Sequence, residues 1–442
     1  MEYTTTDQLL SGGWHWVAAT ILFVVAYFAG ITEKFGRAAA ALGGAVLLLI
    51  LGIVEVREAL ASYIVWDALL LLAGMMLLTG LLGRTGVFMQ TAVRTVALAQ
   101  GRPVPLLALL MLLGALLSAF LDQLGTILLL VPIALTSAHL LRISAFPFLA
   151  GIIVSSNIGG TATLVGNAAN MLIGTSADLS FLDFIRHLGP VLVVILLLTI
   201  GLFIVIFRSR LKVTPKERQQ LLKQARAAGE SDKSNRYRIA GWIVLLLVTA
   251  GFMLHDWLNV PPYAVAWAGA IIMLVAGAAA PGMRGALQLV EWNKLAFLAG
   301  LLVIVGGLEQ SGVIHHLAGL AMQITEGDGK TATQLTLWTS ALVSAAADQL
   351  PYVAAAIPLV DEMGSYLDAG SPLWTGAWWS LALGAGLGAN ATLLGSSSSI
   401  VAAGMAAKEG KPFSFLQYCA LGLPVAVFSL TIASFYLYYF YT

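Results

Sequence analysis

Two stretches 226 positions apart repeat one another. WDALLLLAGMMLLTGLLGRTGVF starts at Trp66 and WNKLAFLAGLLVIVGGLEQSGVI starts at Trp292. At the same offset Ser118, Asp122, Gln123 and Pro132 meet Ser344, Asp348, Gln349 and Pro358. GGTATLVGN (159–167) then pairs with GANATLLGS (388–396) at an offset of 229, and Pro190 matches Pro424. A common taste for leucine explains the apolar positions but not the recurring Asp-Gln pair, the Thr-x-Leu-x-Gly pattern and the prolines. The chain therefore reads as a duplicated unit.

What that unit must live in follows from charge. Of 442 residues 59% are apolar and 10% are charged, against about 25% charged in soluble domains. A soluble enzyme and a disordered chain are both excluded. Apolar runs near 14–31, 38–54, 66–82, 145–175, 185–208, 239–254, 261–280, 292–308, 375–405 and 413–440 give ten candidate spans. A span takes about 20 residues. Two more stretches, 104–140 and 333–367, carry the Asp-Gln pairs at their midpoints and read as re-entrant hairpins of two short helices, which must be buried in protein. Segments 87–99 and 313–324 read as interfacial amphipathic helices, and 209–238 as one polar, partly helical loop.

The expected fold is an all-α polytopic membrane protein of about ten spans plus two hairpins. The first repeat covers 1–208, the basic loop 209–238 follows, and the second repeat covers 239–442. Five spans per copy is an odd number, so the second copy enters the bilayer from the opposite side. Inverted repeats with broken helices at mid-membrane mark secondary transporters.

Orientation follows from the basic residues, ten of 23 of which lie in 208–238. Excess Lys and Arg mark cytoplasmic segments, so this loop faces the cytoplasm and both termini face out. That topology also places Lys34, Arg37, Arg142, Lys294 and Lys411 inside and leaves only Arg57, Arg186 and Lys330 outside. The polar start, Met1 to Gly13, shows no signal peptide.

Net charge is +1, which gives no nucleic-acid signature. One cysteine, Cys419, and six histidines without an HExxH pattern give no metal site, and no cofactor or nucleotide motif is present. No catalytic constellation appears, so an enzyme is not expected.

Asp122 and Asp348 are the only acids deep in the apolar segments. Intramembrane acids usually face a cavity or a partner, so each is a candidate proton carrier or cation ligand, with helix capping as the structural alternative. SSNIGGTATLVGNAAN (155–170) and GANATLLGSSSSI (388–400) should interrupt their helices, 145–175 and 375–405, exposing backbone carbonyls and helix N-termini beside neutral oxygens. No Lys or Arg is expected at the midplane.

At these residues the sequence resembles the ion transporter superfamily, in its arsenite permease, NhaD antiporter and P-protein branch. SSNIGGTATLVGNAANMLIG, LGANATLLGSSSSIVAAGMAAKEGKPFSF, SAFLDQL and the second DQLP carry the likeness over about residues 60–440. The resemblance implies a homodimer in which a transport part, made of hairpins and broken helices, moves as an elevator against a scaffold. It places substrate near Asp122, Gln123, Thr126, Asn157, Thr161, Thr163 and Asn167 in one half and near Asp348, Gln349, Asn390, Thr392, Ser396 and Ser397 in the other. Where the family reads Asp-Asn at the tips and GDPPN and GASAN at the breaks, this chain has Asp-Gln twice, GNAAN and GSSSS. The acid lost at Asn167 disfavours a dedicated Na⁺ site, because hard cations favour charged oxygens.

Hydroxyls and amides then suit a neutral hydroxylated solute. The expected function is proton-coupled export of arsenite- or antimonite-like hydroxides across the bacterial inner membrane, with a cytoplasmic ATPase as a possible partner. The alternatives are a Na⁺/H⁺ or carboxylate-type antiporter, a silicic acid transporter and a passive channel.

Overall fold

The computed structural model describes residues 13–32, 36–230, 235–276, 282–366 and 371–441. Lys34 and the segment before Gly13, both used in the orientation argument, lie outside them. All regular structure among the described residues is helical.

Seven helices are long and apolar enough to cross a membrane: Trp66–Arg84, Pro103–Leu121, Gln123–Leu140, Gly189–Phe207, Tyr237–Leu254, Trp292–Gln310 and Phe415–Phe440. Five of these are among the ten expected spans. Trp14–Phe28, Arg37–Ile50 and Pro262–Val275 are shorter. The two expected broken helices are indeed split, into Phe146–Thr161 and Ala168–Ser176, and into Pro372–Gly388 and Ser397–Lys408.

The remaining two of the seven correct an expectation. The arms of the first hairpin, Pro103–Leu121 and Gln123–Leu140, hold 19 and 18 residues, about 28 Å each at 1.5 Å per residue. They are not short. The polar break consumes one residue, Asp122, at φ 70° and ψ 152°, which stops one helix and starts the next. That region of backbone space is nearly glycine-only and costs about 1–3 kcal/mol. The second hairpin, Gly329–Ala346 and Gln349–Met363, turns at Ala347 and Asp348, both with ordinary negative φ.

Helix bounds recur down the chain. Trp66–Arg84 and Trp292–Gln310 begin and end 226 residues apart, as do Val87–Leu98 and Val313–Ile324. The last two are each entered through a left-handed glycine, Gly86 and Gly312, both at φ 80°. Packing recurs as well: Arg37–Ile50 lies on Trp292–Gln310 and Pro262–Val275 on Trp66–Arg84. Likewise Gln123–Leu140 meets Ser397–Lys408, and Gln349–Met363 meets Ala168–Ser176.

The hairpins are held by close backbone approach. Pro103–Leu121 packs on Phe146–Thr161, and Gly329–Ala346 on Pro372–Gly388. A Cβ on Gly159 would overlap the Ala115 backbone, and one on Gly388 would overlap that of Ala341. Small residues that let helix backbones touch are the usual packing device in membranes.

Broad apolar surface is left outside, with Leu246, Val275 and Leu416 all over 70% exposed. In the polar loop a helix forms over Pro215–Glu230. Its start is held by Thr214 N–H donating to Glu217 Oε2 (2.8 Å), which lowers the Glu217 carboxyl below the ordinary range.

Candidate functional site: a cavity between hairpin tips and helix breaks

The sequence dictates the breaks locally. After Thr161 the first helix unwinds, and Asn167 restarts it as an N-cap whose Oδ1 accepts the Asn170 N–H at 2.7 Å. The carbonyls released by the unwinding are taken up internally. Asn167 Nδ2 donates to Gly160 C=O (3.0 Å), and Asn170 Nδ2 to Thr161 C=O (3.0 Å) and Thr163 C=O (2.8 Å). These carbonyls, expected to face a solute, are therefore engaged.

Two threonines clamp the breaks to the hairpins. Thr163 Oγ1 donates to Ala119 C=O and Thr392 Oγ1 to Ala345 C=O, both at 2.5 Å. Each acceptor is a carbonyl in the last turn of a hairpin arm, where no helical partner exists. Replacing either threonine by valine leaves that carbonyl unpaired, and a loss of about 1–3 kcal/mol is expected. Thermal unfolding in detergent would show it, with Thr163→Val and Thr392→Val adding when combined.

Across the centre the two halves touch through like residues. Gln349 Nε2 donates to Gln123 Oε1 (3.1 Å), and Asn157 Nδ2 to Asn390 Oδ1 (2.9 Å). Ser396 Oγ also donates to Gln123 Oε1 (3.3 Å) and shares a 2.6 Å bond with Ser398 Oγ. Gln123 and Gln349 are about 5% exposed, yet Gln123 Nε2 and Gln349 Oε1 have no partner. A buried donor and a buried acceptor without partners are costly.

Both glutamines line a cavity of about 700 Å³. Six helices begin at its wall, Arg37–Ile50 and Trp292–Gln310 among them, and four of the six start at the hairpin tips and helix breaks: Gln123–Leu140, Ala168–Ser176, Gln349–Met363 and Ser397–Lys408. Helix N-termini carry partial positive charge, so their convergence favours an anion.

The two acids are held differently. Asp348 caps its helix, with Oδ1 accepting the Leu350 N–H (3.2 Å) and Oδ2 accepting the Ser397 hydroxyl. Asp122 makes no capping bond with its side chain. Its Oδ2 stands 3.9 Å from Lys294 Nζ on Trp292–Gln310. At that distance the gross attraction is about 4 kcal/mol for an effective dielectric near 20, offset by desolvation. Arg37 also lines the cavity. The absence of a cation expected at this depth is therefore corrected. Lys294 starts in the first turn of its helix, where it read as a rim residue, but its long side chain reaches to the hairpin tip.

Of the residues singled out in the sequence, Asp122, Gln123, Asn167, Asp348, Gln349, Ser396 and Ser397 line the cavity. Asn157, Asn390, Thr163 and Thr392 are used in the bonds above and do not. Thr126 and Thr161 turn their hydroxyls to Asp122 C=O (3.1 Å) and Asn157 C=O (2.7 Å) of their own helices. Arg37 and Lys294 were missed. The usable signal was that Lys294 falls 226 positions after Ala68, a charge where the similar stretch has none. No group of three or more His, Cys, Asp or Glu able to hold a metal occurs among the described residues.

A profile of the citrate transporter family matches residues 27–384. The chain belongs to that family. This citrate transporter family member is 36% identical to an uncharacterized transporter of Mycobacterium tuberculosis, over 95% of this chain and 97% of that protein. It is 35% identical to a 46 kDa membrane protein of Mycobacterium leprae, over 95% of this chain and 98% of the other. It is 28% identical to the human P protein, over 95% of this chain but 59% of that longer protein. The resemblance to the ion transporter superfamily and its P-protein branch is thus borne out, and the family member is a membrane transporter.

Proposed function

We propose that this transporter carries a small hydroxylated carboxylate, citrate being the first to test, together with protons. The observation that carries the reading is Lys294 Nζ at 3.9 Å from Asp122 Oδ2 in the cavity wall. An anion arriving among the helix N-termini competes with Asp122 for Lys294. Once displaced, Asp122 has lost its counter-charge and takes up a proton. Anion and proton then load together. Gln123 Nε2 and Gln349 Oε1, one free donor and one free acceptor, match a substrate hydroxyl, which does both. The family's name agrees with this class.

We further infer two inverted copies, with hairpins and broken helices forming the moving part of an elevator within a homodimer. The recurring helix bounds and reciprocal packing support the duplication. With loop 209–238 cytoplasmic in the inner membrane, the Arg37 and Lys294 side of the cavity opens inward.

Export of a neutral metalloid hydroxide is the second reading. The unpaired amides and the hydroxyls of Ser396, Ser397 and Ser398 at the cavity favour it. Proteoliposomes separate the two. Labelled citrate should accumulate when a pH gradient is imposed and should stop when protons are equilibrated. Arsenite accumulation without any citrate uptake would overturn the carboxylate reading.

A further inference from the structure

Apart from that cavity, a groove of about 690 Å³ lies where the first hairpin ends. Three basic side chains line it. His139 comes from the last turn of Gln123–Leu140, Arg142 from the turn that follows, and Lys411 from the turn after Ser397–Lys408. Gln220 of the Pro215–Glu230 helix and Gln417 add amide groups, and Ile143, Phe146 and Phe413 form an apolar side.

The backbones of both strong cations are fixed by helix-ending turns. Arg142, at φ 54°, donates its N–H to His139 C=O (3.1 Å), and Ile143 N–H goes to Ala138 C=O (3.0 Å). Gly410, at φ 68°, lets its N–H reach Ala407 C=O (3.1 Å) and Lys411 N–H reach Ala406 C=O (2.9 Å). This is the standard way a helix satisfies its last carbonyls, so the cations sit on rigid supports.

Among the described residues neither Arg142 nor Lys411 has a carboxylate within ion-pair distance. Glu217 acts on Arg142 from the Pro215–Glu230 helix, from beyond ion-pair distance. Two helices, Phe146–Thr161 and Phe415–Phe440, begin at this groove and offset the C-terminal ends of Gln123–Leu140 and Ser397–Lys408 there, so the positive charge of the groove rests on its basic side chains. Cytoplasmic positive charge alone needs no such arrangement. Here cations about 270 residues apart in sequence are gathered around one concavity.

We propose that this groove binds a phosphate group, carried by a phospholipid headgroup or by a soluble phosphate compound. Arginine matches phosphate with paired N–H donors, lysine adds a point charge, and basic pockets between membrane helices hold lipid headgroups elsewhere. The adjoining Phe415 and Leu416 are 43% and 77% exposed, which would continue the site toward acyl chains. This inference is independent of the transported substrate, since none of the three basic residues lines the central cavity.

The test uses the full-length protein and the double variant Arg142→Gln, Lys411→Gln. Affinity is measured for inorganic pyrophosphate in detergent and for cardiolipin in phosphatidylcholine nanodiscs. The variant should bind at least one probe about tenfold more weakly or worse, with its melting temperature in plain phosphatidylcholine unchanged. Loss confined to cardiolipin identifies a headgroup site, and loss confined to pyrophosphate a soluble phosphate site. Equal affinity of wild type and variant for both probes overturns the proposal.

Discussion

Lys294→Met should remove gradient-driven citrate accumulation by about 100-fold while leaving a folded protein. Taking one partner from a desolvated charge pair costs about 2–5 kcal/mol, and about 1.4 kcal/mol is tenfold. Methionine keeps an unbranched side chain while deleting the charge. Lys294→Arg keeps the charge but brings a broader planar group and should restore part of the activity. Arsenite transport, if present, should survive Lys294→Met, because a neutral solute does not compete for the ammonium. Asp122→Asn should leave citrate binding but uncouple it from the pH gradient. Full gradient-driven citrate uptake in Lys294→Met would remove the basis of the carboxylate mechanism.

Gly159→Ala is expected to have the largest effect on stability. The added Cβ would overlap the Ala115 backbone. That contact cannot be relieved by a side-chain rotation, so the hairpin and the broken helix must part. A loss above about 3 kcal/mol is expected, beyond the usual 1–3 kcal/mol of overpacking, and should appear as aggregation on detergent extraction. Gly388→Ala, against Ala341, should behave alike. Gly43→Ala is the control. It has nothing within 4 Å of an added Cβ and lies within Arg37–Ile50, so up to about 1 kcal/mol of stabilisation is expected there.

The sequence repeat was legible because its markers are polar or helix-breaking residues in an apolar background, where each one is costly and positional. Asp122, Gln123, Asp348 and Gln349 could be placed at hairpin tips for that reason. Which threonines face a solute was not legible. Thr126, Thr161, Thr163 and Thr392 all carry a hydroxyl that bonds a nearby carbonyl as readily as a ligand, and only the backbone geometry decides between them. The lengths of the hairpin arms were missed because a one-residue turn at Asp122 requires a backbone conformation that aspartate rarely adopts. Lys294 was missed because four methylene groups let an ammonium act far from its own Cα, and a count of charges along the chain locates only the Cα.

The bond from Gln349 to Gln123 joins the two hairpins at their free ends. Each tip is therefore tethered to the other, and bending one alone would strip a buried amide of its single tie. Such a yoke opposes a valve that works by lifting one flap at a time. Under the proposed elevator, it favours displacing both tips as one block.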